Sequence, residues 1–125
     1  MKSIIRTSAA PAPIGPYSQA VKAGNLLFVS GQIALDPSTG ELINTDIKAE
    51  TGRVMMNLSA ILKEAGMDFN SVVKSSIFLK DMNDFGKVNE VYGEFFKENP
   101  PARETVQVSR LPKDVNVEIS VIAIG

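Results

Sequence analysis

"PPARETVQVSRLPKDVNVEISVIAIG", residues Pro100–Gly125, decides the fold. Its second half places Val117, Ile119 and Val121 on one side and Glu118, Ser120, Ile122 and Ile124 on the other. That is a strand, near 115–124, with apolar residues on both faces. Such a strand belongs inside a sheet that is covered on both sides. The first half gives a shorter strand near 104–109. Its approach is stiffened by Pro100-Pro101-Ala102, with Arg103 at its mouth.

The partners of these strands lie upstream. Short strand-like runs occupy 3–7, 19–22 and 25–34, the last ("NLLFVSGQIAL") rich in β-branched and aromatic residues. Asp36-Pro37-Ser38-Thr39-Gly40 then forms a turn. Over 46–65, Ile47, Thr51, Val54, Met55, Leu58, Ile61, Leu62 and Ala65 recur at three- and four-residue steps and form one helical stripe. Thr45 or Asp46 caps its start, Gly66 its end, and Met55-Met56 reads as core filler. "SVVKSSIFLK" alternates as a strand, with Val73, Ser75, Ile77 and Leu79 on one face. A second helix spans about 84–97, its apolar side made by Phe85, Val88, Tyr92, Phe95 and Phe96.

The order β-β-β-α-β-α-β-β predicts one α+β domain over 1–125, with two helices on one face of a mixed sheet. A single helical layer hides one face only. The other face is expected to pack against a second subunit, the alternative being a sheet curled over itself.

Composition narrows the chemistry. The chain has no cysteine and no histidine, which removes thiol nucleophiles, imidazole bases and thiolate or imidazole metal ligands. "DMNDF" lacks the spacing of a known cation loop, so no metal is expected. The net charge of −1 carries no basic block and weighs against a nucleic-acid partner. No apolar run reaches membrane-span length, and "MKSIIRTSAAPA" has too short an apolar core for a signal peptide. A cytoplasmic protein with no membrane partner is the expectation. "NLS" at Asn57 lies in the helical pattern and reads as a chance glycosylation match.

Several residues stand out, each with an ordinary alternative. Glu118 marks a wet strand end, an ion pair or a poised base. Arg103 is a surface cation or, on its stiffened approach, a carboxylate fork. Gly31 interrupts a strong strand pattern, for a bulge or for close approach of a ligand to the backbone beside Ser30. Tyr17, fixed by Pro16, presents a phenol or caps a core. Asn89 is a helix-surface residue.

Taken together, "IGPYSQAV", "FVSGQIALDPSTGEL", "FLKDMNDFGKVNEVYGEFF" and the closing stretch resemble the Rid (YjgF-type) family of enamine/imine deaminases along essentially the whole chain. The resemblance implies a chorismate-mutase-like fold, assembled as a homotrimer with sheets lining the centre and clefts between subunits. It implies cofactor-free hydrolysis of 2-aminoacrylate and 2-iminobutanoate to 2-oxo acids and ammonia. By position, Arg103 would take the substrate carboxylate and Glu118 the hydrolytic water. Tyr17, Ser30, Gly31 and Asn89 would line the cleft. Thr105 stands where many archetypal members carry cysteine, so no thiol acts here. A non-catalytic trimer that binds 2-oxo acids, or a ribonuclease or translation inhibitor, are the competing readings.

Overall fold

The computed structural model describes residues 1–125. Six strands form one sheet: β1 (Lys2–Ile5), β2 (Ala20–Ala23), β3 (Leu26–Gln32), β4 (Val72–Leu79), β5 (Ala102–Gln107) and β6 (Val117–Ile124). Their order across the sheet is β1-β2-β3-β6-β4-β5. The strand apolar on both faces therefore does lie inside, antiparallel to β3 and to β4. Between β4 and β5 the chain crosses over through helix α2 (Phe85–Gly93), which makes that pair parallel. The sheet is mixed, as expected.

Helix α1 (Ile47–Glu64) is capped by Asp46, whose carboxylate accepts from the Ala49 N–H at 2.8 Å. It ends at Gly66, whose φ of +74° an L side chain rarely adopts. Val54, Met55, Leu58, Ile61 and Leu62 of α1 are wholly buried in one core with Leu27, Ile77, Leu79, Val117 and Ile119 of the sheet. Each such side chain contributes about 1.5–3 kcal/mol of burial. α1 and α2 cover the same face, and Lys48 of α1 pairs with Glu90 of α2 at 2.5 Å.

Four local expectations need correcting. A register shift between Val72 and Lys74 puts Val72, not Val73, on the buried face of β4; a bulge absorbs one residue and flips the alternation. Met55 is core, but Met56 is half-exposed, because consecutive helical residues point 100° apart. α2 stops at Gly93, so Phe95 and Phe96 reach the core from the following turns, where Phe96 stacks on Tyr92. β5 begins two residues earlier than expected and includes Arg103.

The face away from the helices carries Phe28, Ile122, Ile124, Phe78 and Val106, with Phe28, Ile124 and Val106 substantially exposed. Lys74, bridged to Glu104 at 2.9 Å, interrupts this apolar surface.

Candidate functional site

Glu118 faces the helix-free side: its pairing partner on β4 is Phe78, while its neighbours Val117 and Ile119 are buried in the core. It is half-buried, and it accepts no hydrogen bond from the chain. Burial pushes its carboxyl above the usual carboxylate range, with no cation beside it to offset the cost.

What lets Glu118 sit there is a bulge in β3. Val29 pairs with Val121 and Gln32 with Ile119, so Ser30 and Gly31 together oppose the single residue Ser120. At Gly31 a β-carbon would lie 2.6 Å from Glu118 Oε2 and 2.8 Å from its carboxyl carbon. The glycine is needed because the carboxylate occupies the space of its missing side chain. Of the two sequence readings of Gly31, the bulge is what the structure has, and the group close to its backbone is the Glu118 carboxylate.

A cavity of about 430 Å³ opens beside Glu118, lined also by Tyr17, Ser30, Gly31, Gln19 and Pro112. Tyr17 is half-exposed, and its phenol oxygen accepts from the Ile14 N–H at 3.2 Å. Its hydroxyl proton remains free to donate. Ser30 is already engaged, since its hydroxyl donates to the Ser18 carbonyl at 2.6 Å. Ser30 thus braces the cavity wall.

Arg103 lies elsewhere. It pairs with Ser75, which is buried beneath α2, so it projects on the helix side of the sheet. Its guanidinium donates to Asn89 Oδ1 at 2.7 Å and lies 5.6 Å from the Phe85 ring centre and 5.1 Å from that of Tyr92. Tyr92 donates in turn to Ser75 Oγ at 2.9 Å. Burial raises the Tyr92 phenol, against smaller opposing effects of the Ser75 bond and the Arg103 charge, so it stays neutral under the cation. Thr105 follows Arg103 on the same face of β5, and its Oγ1 is buried without a hydrogen-bond partner.

The seven singled-out residues therefore form two groups. Tyr17, Ser30, Gly31 and Glu118 surround the cavity; Arg103, Asn89 and Thr105 cluster on the opposite face, against α2. Residues outside the seven also shape the region. Gln19, nearly wholly buried, lines the cavity. Wholly buried Glu50 of α1 accepts from the backbone N–H and the Nδ2 of Asn116, both at 2.8 Å, two residues before Glu118. Asn57, far from being a glycan acceptor, is wholly buried and donates to the Ile33 and Leu35 carbonyls. A polar residue at helical spacing from Val54 and Ile61 was the signal available for Asn57. No helix is long and apolar enough to cross a membrane.

Comparison with known proteins agrees with this architecture. The sequence profile of the family described as Endoribonuclease L-PSP matches residues 7–125. A RutC family protein of Pyrococcus horikoshii is 59% identical over 123 residues, covering 98% of each chain. The 2-iminobutanoate/2-iminopropanoate deaminase of Mus musculus is 48% identical over 124 residues, covering 99% of this chain and 92% of that one. The crystal structure of RidA from a Psychrobacter species superposes with a TM-score of 0.95 at 45% identity, covering 98% of this chain and 99% of that one. With profile, sequence and fold in agreement, the chain belongs to the Rid family, the group also described as endoribonuclease L-PSP.

Proposed function

We propose that the protein is a cofactor-independent deaminase that hydrolyses 2-iminobutanoate and 2-iminopropanoate, the latter formed by tautomerisation of 2-aminoacrylate, to 2-oxo acids and ammonia. The observation that carries this reading is Glu118: an unpaired, half-buried carboxylate with raised proton affinity, facing a cavity of small-molecule size. The deaminase name of the mouse relative supports the same chemistry.

The site is shared between subunits of a homotrimer. Arg103 and Glu118 of one chain point to opposite sides of the sheet, so a single chain does not present them to one small substrate. The apolar helix-free face supplies a surface for packing subunits together. Arg103, held by Asn89 between two rings, offers a planar fork to the substrate carboxylate. Glu118 orients a water and takes its proton as the oxygen bonds to the C=N carbon, while the π electrons move to nitrogen. In the resulting carbinolamine, Glu118 returns the proton to nitrogen. Glu118 then takes the hydroxyl proton and passes it to the same nitrogen, so the C–N bond breaks, ammonia leaves and the carbonyl forms. A carboxyl with raised affinity for a proton suits both halves of this transfer. Positioning does the rest, since the imine is already electrophilic.

The family description raises a nuclease reading. The absence of histidine and the net charge of −1 weigh against it. To test the proposal, 2-aminoacrylate is generated in place with a serine dehydratase, keto-acid release is timed, and free imine is trapped with semicarbazide. Acceleration by wild type and none by Arg103→Ala supports the deaminase. No acceleration by folded wild type overturns it in favour of a 2-oxo acid binding protein.

A further inference from the structure

One wall of the cavity that Glu118 lines is a strap, residues Thr7–Tyr17, with no regular secondary structure. Three prolines, at positions 11, 13 and 16, deprive it of the N–H groups a strand would need. No backbone hydrogen bond ties residues 7–14 to the sheet. Yet the strap supplies Pro11, Ala12, Ile14 and Tyr17 to the cavity lining.

One side chain holds it. Gln19, buried one residue before β2, accepts from the Thr7 N–H at 2.7 Å through Oε1. Through Nε2 it faces the carbonyls of Thr7 at 3.0 Å, Ala10 at 3.3 Å and Pro11 at 2.9 Å. An amide has two N–H bonds for three carbonyls, so the longest contact, to Ala10, is a shared one. Only one orientation of the amide satisfies all four partners. The Ala10 methyl is buried in the main core and gives the strap a second, apolar anchor. At its far end the strap meets the bulge: the Ser30 N–H donates to the Gln19 carbonyl at 2.9 Å and the Ser30 hydroxyl to Ser18. Gln32 Nε2 donates to the Ser30 carbonyl at 3.1 Å. Strap and bulge are one hydrogen-bonded unit.

We infer that Gln19 is a positioning residue: it folds the Thr7–Tyr17 strap over the cavity and so fixes Tyr17 relative to Glu118. The ligand used to test it rests on the deaminase reading above, whereas strap order does not. Removing the amide's donors leaves three carbonyls without partners and turns the wall into a mobile segment.

Two measurements on the whole protein test this. In wild type, residue-resolved amide exchange should show the Thr7 N–H exchanging far more slowly than that of its neighbour Ser8. Equal rates would overturn the inference. In Gln19→Glu at alkaline pH, a carboxylate faces the three carbonyls. Strap amides should then exchange faster, and binding of 2-oxobutanoate, read by calorimetry, should weaken about tenfold, the loss of one or two net hydrogen bonds. Burial and the three facing carbonyls favour the protonated form of the new carboxyl, so at roughly pH 5 and below the protonated side chain again offers one donor and one acceptor. Affinity relative to wild type at the same pH should then recover, an effect that simple loss of stability would not give. Wild-type-like affinity at alkaline pH, or weakened affinity with unchanged strap exchange, overturns the role. If Gln19→Glu does not fold, Gln19→Met takes its place, expected to loosen the strap at every pH. If wild type binds no 2-oxobutanoate, the substrate reading fails, and the exchange data alone decide on Gln19.

Discussion

Arg103 and Glu118 belong to one sheet but face opposite sides of it: Arg103 pairs with Ser75 under α2, and Glu118 pairs with Phe78 on the helix-free face. One strand, β4, lies between their strands, which sets their backbones roughly 10 Å apart across the ladder. If both act on one substrate, they come from different subunits. Mixing Arg103→Ala and Glu118→Gln chains under conditions that exchange subunits should therefore restore activity that neither variant shows alone. Random assembly in equal amounts leaves about a quarter of the sites with both residues intact. Persistent inactivity of a verified mixed assembly would place both groups in one chain's site.

Glu118 also makes stability depend on pH in a defined sense. Its folded-state pKa is raised, so the folded protein binds more protons than the unfolded chain between the ordinary carboxylate range and that higher value. Stability contributed by this group is present below the ordinary range and falls as pH rises through the window. Glu118→Gln removes the ionised form, so it should raise Tm at neutral pH while abolishing turnover, and the difference should vanish near about pH 4. Thermal melts across pH would show it. A Tm that falls at neutral pH in the variant would mean Glu118 is compensated in the assembled protein.

Gly31→Ala puts a methyl group where Glu118 Oε2 now lies, 2.6 Å from the new carbon. Destabilisation of about 1–3 kcal/mol and loss of turnover are expected, as for other overpacked sites. In a Glu118→Ala background the clash disappears, and the same substitution should cost much less. Denaturant melts of the four proteins give the coupling directly. Equal costs in the two backgrounds would show that the bulge geometry, not the carboxylate, requires glycine.

Arg103→Lys keeps the charge but removes the planar fork and the flat stacking surface between Phe85 and Tyr92. kcat/KM should fall roughly a hundredfold, about 3 kcal/mol of carboxylate recognition, with little change in Tm. Steady-state kinetics beside a melt separate the two. A variant as active as wild type would reduce Arg103 to a structural cation.

Asn57→Ala leaves the Ile33 and Leu35 carbonyls without their donor in the interior. A loss of roughly 3 kcal/mol is expected from the unsatisfied groups and the small cavity together. Chemical denaturation measures it, and a loss under about 1 kcal/mol would mean that water enters and replaces the amide.

The fold was legible wherever side-chain pattern alone decides structure. The two-faced apolar run of β6 called for an interior strand, and the stripe from Ile47 to Leu62 called for a helix that packs on it. What the pattern does not encode is the bulge. Val72 and Val73 are chemically equivalent, and only the pairing register decides which is buried. The site was half legible for a similar reason. Glu118 and Gly31 each break a local rule, so each could be seen in the sequence; that one fills the other's missing side chain needs the bulge. Gln19 and Glu50 escaped notice because polar residues at these positions look like ordinary strand or helix members until their partners, distant in sequence except for Gln19's loop, are in place.

The placement of β6 has a further consequence, for the order of folding. Without Val117–Ile124 the sheet is two separate pieces, β1-β2-β3 and β4-β5, with no ladder between them. Joining them means pairing Val29 with Val121, a contact across most of the chain, and such long closures make folding slow. The strand that closes the sheet is also the one that carries Glu118. Seating the carboxylate against Gly31 and uniting the two half-sheets are therefore one event. A chain stalled before it exposes two apolar strand edges to its neighbours and has no site at all.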